Sequence, residues 1–310
     1  MRLLAIETSF DDCCVALNGI QWKKTIRHNG MIPVEAALFH REHLPQLVPP
    51  LSYDAIACTR GPGQALCLKE GWHFAANLAI RKNVPLIGIH HMHAHYLSPF
   101  SVTTMPFPYM CVVATGGHTQ VVIVNSPISF KVIASTMDDA IGEAYDKISR
   151  LFELSTPELM QTIDHNNSTP VNKPFLIMPR SNRLSFSFSG IKTAARNKLK
   201  DWSQQRIVQS FHNGCMNHMK TIVRRALAQY EVKALCGVGG AMLNPSLQQI
   251  LHHLGRIQNK EVVIPSKNWL IDNALMIELA AKLQIAHGRS FDTIGYDFYP
   301  KTKDANHNIQ

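Results

Sequence analysis

One order of elements occurs twice along this chain, and it limits the fold more than any other feature. Apolar runs at residues 2–9, 13–17 and 20–27 read as three strands, with Asn18-Gly19 as the hairpin signal between the last two. A helix over 33–44 follows, with Pro33 at its start and Glu35 in its first turn. A strand over 53–58, a helix over 65–82, a strand over 84–89 and a further helix complete the set. The same order then returns about 100 residues later. Strands at 109–115, 119–124 and 129–135 lead to an amphipathic helix over 138–154, where Ile141, Ala144, Tyr145, Ile148 and Leu151 fall at helical spacing. A proline-containing polar excursion over 155–204 interrupts the second copy. Helix 205–230, strand 233–237, helix 245–253, strand 261–265 and helix 273–287 finish it. The tail beyond Gly288 is polar and irregular, and its end is expected to be disordered. Two mixed-sheet α/β lobes are expected, facing each other across a ligand-binding cleft.

The four histidines of Ile89-His90-His91-Met92-His93-Ala94-His95 follow the apolar run 84–89 directly. On a helix, His91 and His95 at i and i+4 share one face and point the same way. Such a pair can hold a divalent metal of the zinc, iron or nickel kind if a third ligand comes from elsewhere. It can equally be a polar helix start with solvated histidines. Two turns rich in small or acidic residues follow the first strand of each copy, Glu7-Thr8-Ser9-Phe10-Asp11-Asp12 and Thr115-Gly116-Gly117-His118-Thr119. Glycine pairs let backbone N–H groups approach a phosphate. A third pair, Gly239-Gly240, leads to Asn244-Pro245 at a helix start, a platform for an adenine or ribose.

Charge adds a weaker constraint. With 31 basic and 22 acidic residues the net charge is +9, which suits a polyanionic partner or simply a basic soluble protein. The basic residues fall in small groups, Lys23-Lys24 with Arg27, 192–200, Arg224-Arg225, and Lys301 with Lys303. No apolar run approaches the roughly 18 residues of a membrane span, so no membrane association is expected. Seven cysteines without a CxxC, mostly in apolar stretches, read as reduced buried thiols. The N-terminus opens on a strand, with no signal or transit segment in view.

Taken together, these motifs resemble the tRNA N6-adenosine threonylcarbamoyltransferase family, formerly the glycoprotease or O-sialoglycoprotein endopeptidase family. The resemblance covers about residues 3–290. It rests on Ala5-Ile-Glu-Thr-Ser9 with Asp11-Asp12, on Thr59-Arg-Gly-Pro-Gly63, on His90-His91-Met92 with His95, and on Gly116-Gly117-His118-Thr119. It rests further on Asp138 to Lys147, on Leu184-Ser-Phe-Ser-Phe-Ser-Gly190 with Lys192, and on Asp272-Asn273 with Met276-Ile277. Two of these segments, 58–63 and 184–190, look closest to the mitochondrial branch.

The resemblance implies an actin-like (ASKHA) α/β fold with duplicated ribonuclease-H-like topology. It implies an N-terminal lobe over 1–104 and a C-terminal lobe over 105–310, whose final helix carries Asp272 back toward the first lobe. The implied activity is transfer of a threonylcarbamoyl group from threonylcarbamoyl-AMP to the amine of the adenosine beside the tRNA anticodon, the t6A modification. His91, His95 and Asp272 would hold one divalent metal per subunit, iron or zinc. Val113, Ala114, Thr115, Gly116, Gly117, Asp146 and Asn244 would hold the adenylate. Asp11 would act as base or positioning carboxylate, with Lys192 and His118 as further contacts. The implied partners are tRNA, the enzyme that makes the adenylate, and a second copy in a homodimer.

The chain departs from the family at 155–161, where Ser-Thr-Pro-Glu-Leu-Met-Gln replaces a glycine turn, and no site is expected there. Gly239-Gly240-Ala241-Met242-Leu243-Asn244 brings a bulkier residue to the nucleotide platform, and Pro300-Lys301-Thr302 replaces a terminal Pro-Arg-Trp. These departures keep a catalytically impaired tRNA-binding homologue in play. A small-molecule kinase or ATPase of the same fold is a rival, although magnesium for phosphoryl transfer is normally held by carboxylates and phosphates rather than histidines. A metalloprotease is disfavoured, because Met92 stands where a His-Glu-x-x-His site needs its glutamate.

Overall fold

The computed structural model describes residues 1–26, 32–163, 184–294 and 298–300. Arg27, Lys301, Thr302, Lys303, much of the 155–204 excursion and the end of the tail therefore lie outside the described residues.

The chain divides into two compact units. The first comprises Met1–Thr103, Asn125–Phe130 and Ile271–Gln310, and the second Thr104–Val124 and Lys131–Leu270. Along the chain run β1 (Leu3–Glu7), β2 (Asp12–Leu17), β3 (Ile20–Thr25), α1 (Pro33–Leu47), β4 (Ala55–Gly61), α2 (Ala65–Lys82), β5 (Leu86–His90) and α3 (His91–Leu97). Then come β6 (Tyr109–Ala114), β7 (Thr119–Ser126), β8 (Ser129–Thr136), α4 (Ile141–Leu151), α5 (Thr156–Gln161), β9 (Ser185–Phe186), α6 (Ser189–Arg196) and α7 (Gln204–Gln229). The last elements are β10 (Ala234–Val238), α8 (Pro245–Ile257), β11 (Glu261–Val263), α9 (Lys267–Leu270) and α10 (Ala274–Ala286).

The first sheet has the order β3-β2-β1-β4-β5 and the second β11-β10-β6-β7-β8-β9. In the first, β1 is antiparallel to β2 and parallel to β4, which is parallel to β5. In the second, β6 is antiparallel to β7 and parallel to β10, which is parallel to β11. The topology is therefore one design used twice, with β9 added to the edge of the second copy. Strands flanked by helices on both faces are apolar along their whole length. Accordingly β1, β5, β6 and β10 are buried at every position.

Each unit has its own core. In the first, Leu4, Ile6, Val15, Ile56 and Trp72 pack together, and in the second Met110, Val112, Phe186, Phe188 and Phe211 do. All seven cysteines are free and buried. Burial pushes the Cys67 thiol up to about 11 and Cys13 to about 12, so neither is nucleophilic near neutral pH.

Four short elements, α5, β9, α6 and α9, do not stand out in the sequence, and α4 starts at Ile141 rather than 138. Asp138 is taken out of the helix because its carboxylate accepts from the Phe188 amide at 2.8 Å and from the Ser187 and Ser189 hydroxyls, both at 2.6 Å. The Leu184-to-Gly190 motif is thereby fastened to the start of α4. Among the described residues no helix is long and apolar enough to cross a membrane.

Candidate functional site

Parallel strands bring their carboxyl ends to one edge of a sheet, where ligands usually bind. In the first unit β1 ends on Glu7, β4 carries Thr59 near its end, and β5 runs straight into α3, with His91 as its first residue. All four histidines of the segment are buried, His95 completely, so the solvated alternative does not hold. The rings of His91 and His95 lie 4.8 Å apart at 85°. Asp272 precedes Asn273, the N-cap of α10, whose side chain accepts from the Met276 amide at 2.8 Å. Its Oδ1 lies 3.0 Å from His95 Nε2 and 3.5 Å from His91 Nε2. Ligand atoms of His91, His95 and Asp272 all fall within 4.8 Å of one another.

Behind these three stands Glu7. Its Oε2 is 3.1 Å from His91 Nδ1, and Ser9 Oγ is 3.3 Å from the same nitrogen. Glu7 is itself held by the Ser9 amide and the Thr59 hydroxyl. A carboxylate on one imidazole nitrogen fixes the tautomer and directs the other nitrogen to a ligand. Burial works against charge on His91, but Asp272 and Glu7 outweigh it and push its pKa up to about 10. The cluster thus favours a positive charge. Two imidazoles and a carboxylate form a donor set suited to a borderline divalent metal, and the 31% exposure of the Asp272 side chain leaves one side open. His90 and His93 stand apart from this group. Their rings stack on each other at 4.1 Å, and His93 stacks on Phe130 at 4.2 Å. Asp11 is half-buried, and its carboxyl is pushed up by burial and by the nearby charges of Asp12 and Asp272.

The second unit gathers its own group of candidate residues at the corresponding strand ends. After β6, the turn 115–118 is closed by the Thr115 amide donating to the His118 carbonyl at 2.9 Å and the His118 amide donating to Thr115 Oγ1 at 2.9 Å. It sits against the start of α4, whose Gly142 and Glu143 amides donate to Thr115 O and Gly116 O. A Cβ on Gly142 would come within 2.8 Å of Gly116 Cα, so only glycine permits this approach. Gly239, at φ +95°, runs so close to Ala114 that a Cβ would meet its carbonyl oxygen at 2.3 Å. Gly116 and Gly117 are different: a Cβ on either would meet nothing within 4 Å. The protein's own packing does not require glycine there.

Beside this turn lies a cavity of about 680 Å³, lined among others by Gly116, Tyr145, Asp146, Met160, Leu243 and Asn244. That size is ordinary for a small-molecule site, about 300–1,000 Å³.

The sequence matches the profile of the tRNA N6-adenosine threonylcarbamoyltransferase family over residues 16–279. The chain belongs to that family. Curated relatives that carry this name include those of Nautilia profundicola, 31% identical over 90% of this chain and 91% of the relative, and of Bacillus subtilis, 32% identical over 93% and 92%. The relative from Polynucleobacter asymbioticus is 31% identical over the full length of both. Among solved structures, full-length HypF in its phosphate- and nucleotide-bound form superposes with a TM-score of 0.65 at 13% identity, over 93% of this chain and 47% of HypF. Component A of the Acidaminococcus fermentans (R)-2-hydroxyglutaryl-CoA dehydratase superposes with a TM-score of 0.53 at 12% identity, over 92% and 99%. The fold is the actin-like (ASKHA) α/β class.

Within this family member, the residues singled out from sequence divide into three groups. His91, His95 and Asp272 meet in the first unit. Gly116, Asp146 and Asn244 line the cavity of the second, with Thr115, Gly117 and His118 forming the adjoining turn and Val113 and Ala114 buried in β6 beneath it. Lys192 is ion-paired with Asp139, which also holds Lys147 at 2.5 Å.

Residues 155–161, where no site was expected, form α5, and Thr156, Pro157 and Met160 line the cavity. The signal was present in the sequence: Ser155 and Glu158 form a capping box, and the Thr156 hydroxyl donates to Asp146. Glu7 carries a sequence signal too, since it ends β1 inside the Ala5-to-Ser9 motif.

Proposed function

We infer that this chain transfers the threonylcarbamoyl group of threonylcarbamoyl-AMP to N6 of the adenosine beside a tRNA anticodon. The observation that carries this reading is the match to the family over residues 16–279, with relatives of that name aligned over nine-tenths or more of both chains. Acyl transfer needs a donor held in place, a proton acceptor, and stabilisation of the charge that develops at the carbonyl. The cavity beside the Gly116-Gly117 turn suits the adenylate, since exposed backbone amides can approach a phosphate and the largely apolar walls suit a base. In the reaction the adenosine amine attacks the carbamoyl carbon, the bond to the phosphate oxygen breaks, and AMP leaves. Asp11, whose carboxyl is already pushed up, receives the amine proton.

His91, His95 and Asp272 would hold one divalent cation, iron or zinc, with Glu7 orienting His91. When bound, the cation would supply Lewis acidity toward substrate oxygens. Lys192 would hold Asp139 in place rather than touch phosphate. The resemblance of segments 58–63 and 184–190 to the organellar branch supports a mitochondrial setting, which cell fractionation checks.

Purified protein mixed with threonine, bicarbonate, ATP, an adenylate-forming enzyme and unmodified tRNA is expected to yield threonylcarbamoyladenosine on nucleoside mass spectrometry. A tRNA left unmodified while an active relative succeeds in parallel would favour the binding-only homologue.

A further inference from the structure

Four polar side chains form a buried circuit behind the cavity wall. Asn244 is the N-cap of α8, and its Oδ1 accepts from the Ser246 amide at 3.0 Å. A backbone amide only donates, so this contact fixes which end of the Asn244 amide is oxygen and which is nitrogen. The nitrogen end is then the one available to Tyr145, to which the Asn244 side chain hydrogen-bonds. With its oxygen accepting from Asn244, the Tyr145 hydroxyl donates its proton to His212 Nδ1 at 2.7 Å. His212 must then carry its own proton on Nε2, which lies 3.0 Å from Ser246 Oγ. Ser246 is the residue whose amide donates to Asn244 Oδ1, so the circuit ends where it began. Tyr145 is 4% exposed, His212 2%, and Asn244 and Ser246 8% each, which shields the chain of donors from water.

An Asn side chain has two N–H donors. One is used by Tyr145, and Asn244 and Tyr145 both line the cavity. We propose that Tyr145 and His212 are positioning residues: they lock the Asn244 amide so that its second N–H is presented to the cavity as a fixed donor for an acceptor on the nucleoside part of the adenylate. Without the circuit the amide can rotate, and the donor is no longer preset for the ligand. Binding then requires ordering that the native protein has already done. This inference rests on the adenylate reading of the cavity.

The test uses AMP, the nucleotide product of that reading, and CMP as its pyrimidine counterpart, with the full chain and four proteins. Wild type is expected to bind AMP and prefer it to CMP. Tyr145→Phe keeps the ring and deletes the hydroxyl, and His212→Phe keeps a ring and deletes both nitrogens. Each is expected to weaken AMP about tenfold and to narrow the AMP-to-CMP ratio. His212→Gln can accept from Tyr145 and donate to Ser246, so it is expected to bind AMP within about twofold of wild type. In turnover assays the phenylalanine variants should raise KM for the adenylate far more than they lower kcat. A general loss of packing would affect both nucleotides alike and would not be rescued by glutamine. Wild-type AMP affinity and preference in Tyr145→Phe, or a His212→Gln protein as weak as His212→Phe, overturns the positioning role. Failure of wild type to bind AMP would instead overturn the adenylate reading itself.

Discussion

Replacing Glu7 by Gln keeps the shape of the side chain and removes the charge that faces His91. If Glu7 orients that imidazole for a cation, the variant is expected to bind zinc or iron(II) about 10–100-fold more weakly. Titration against a competing chelator measures this, and unchanged affinity would reduce Glu7 to a packing role. A second residue, His218, gives a pH dependence away from the metal site. Its Nε2 accepts from the Ser187 amide at 3.1 Å, and burial holds its pKa down at about 4, against 6.5 normally. The folded chain therefore binds fewer protons than the unfolded one between those values. Stability from the neutral imidazole is complete above about pH 6.5 and is lost as pH falls toward about 4. Between about pH 7 and pH 4.5 the wild type should lose roughly 2–3 kcal/mol more than His218→Gln. Urea unfolding at the two pH values checks this, and parallel losses would contradict it.

At the scale of elements, α5 is the clearest case of a structure built from local chemistry. Its six residues are secured by the Ser155–Glu158 capping box, and Thr156 donates to Asp146 on α4. Ser155→Ala is expected to cost about 1 kcal/mol of stability by denaturant unfolding. Because α5 forms part of the cavity wall, the same change should weaken AMP binding; unaltered binding would detach α5 from the site. The strands and long helices were legible from sequence because burial on both faces, or on one helical stripe, leaves a periodic apolar record. In α2 the apolar record ends where the helix does, at Ala65 and Lys82. What escaped was non-periodic: two-residue β9 takes its place from Ser135 and Thr136 across the sheet, and the start of α4 is set by contacts with residues some 50 positions away. The metal-type triad was legible only in part. His91 and His95 showed themselves by helical spacing, whereas nothing local marks Asp272, which came from the family motif. The Tyr145–His212 circuit was illegible, because Tyr145 looks like any core position of an amphipathic helix.

At the scale of the whole molecule, the repeated strand order explains how each unit comes to carry a group of candidate residues at the carboxyl edge of its parallel strands. It also bears on assembly. Val34 and Leu38 on α1 are 57% and 55% exposed and lie at i and i+4, so they form an uncovered apolar stripe on one helix face. If a second copy covers it, light scattering should give a dimer mass for wild type and a monomer mass for Val34→Asp with Leu38→Asp; a wild-type monomer at micromolar concentration would exclude that assembly.

This family member is expected to modify tRNA and to need His91, His95 and Asp272 to do so. The reconstituted reaction decides this when it is run with wild type and with His91→Ala plus Asp272→Ala, with bound metal and tRNA nucleosides measured on the same samples. About one divalent metal per chain and threonylcarbamoyladenosine are expected in the wild-type sample, and neither in the variant. Full modification by a folded, metal-free variant would contradict it.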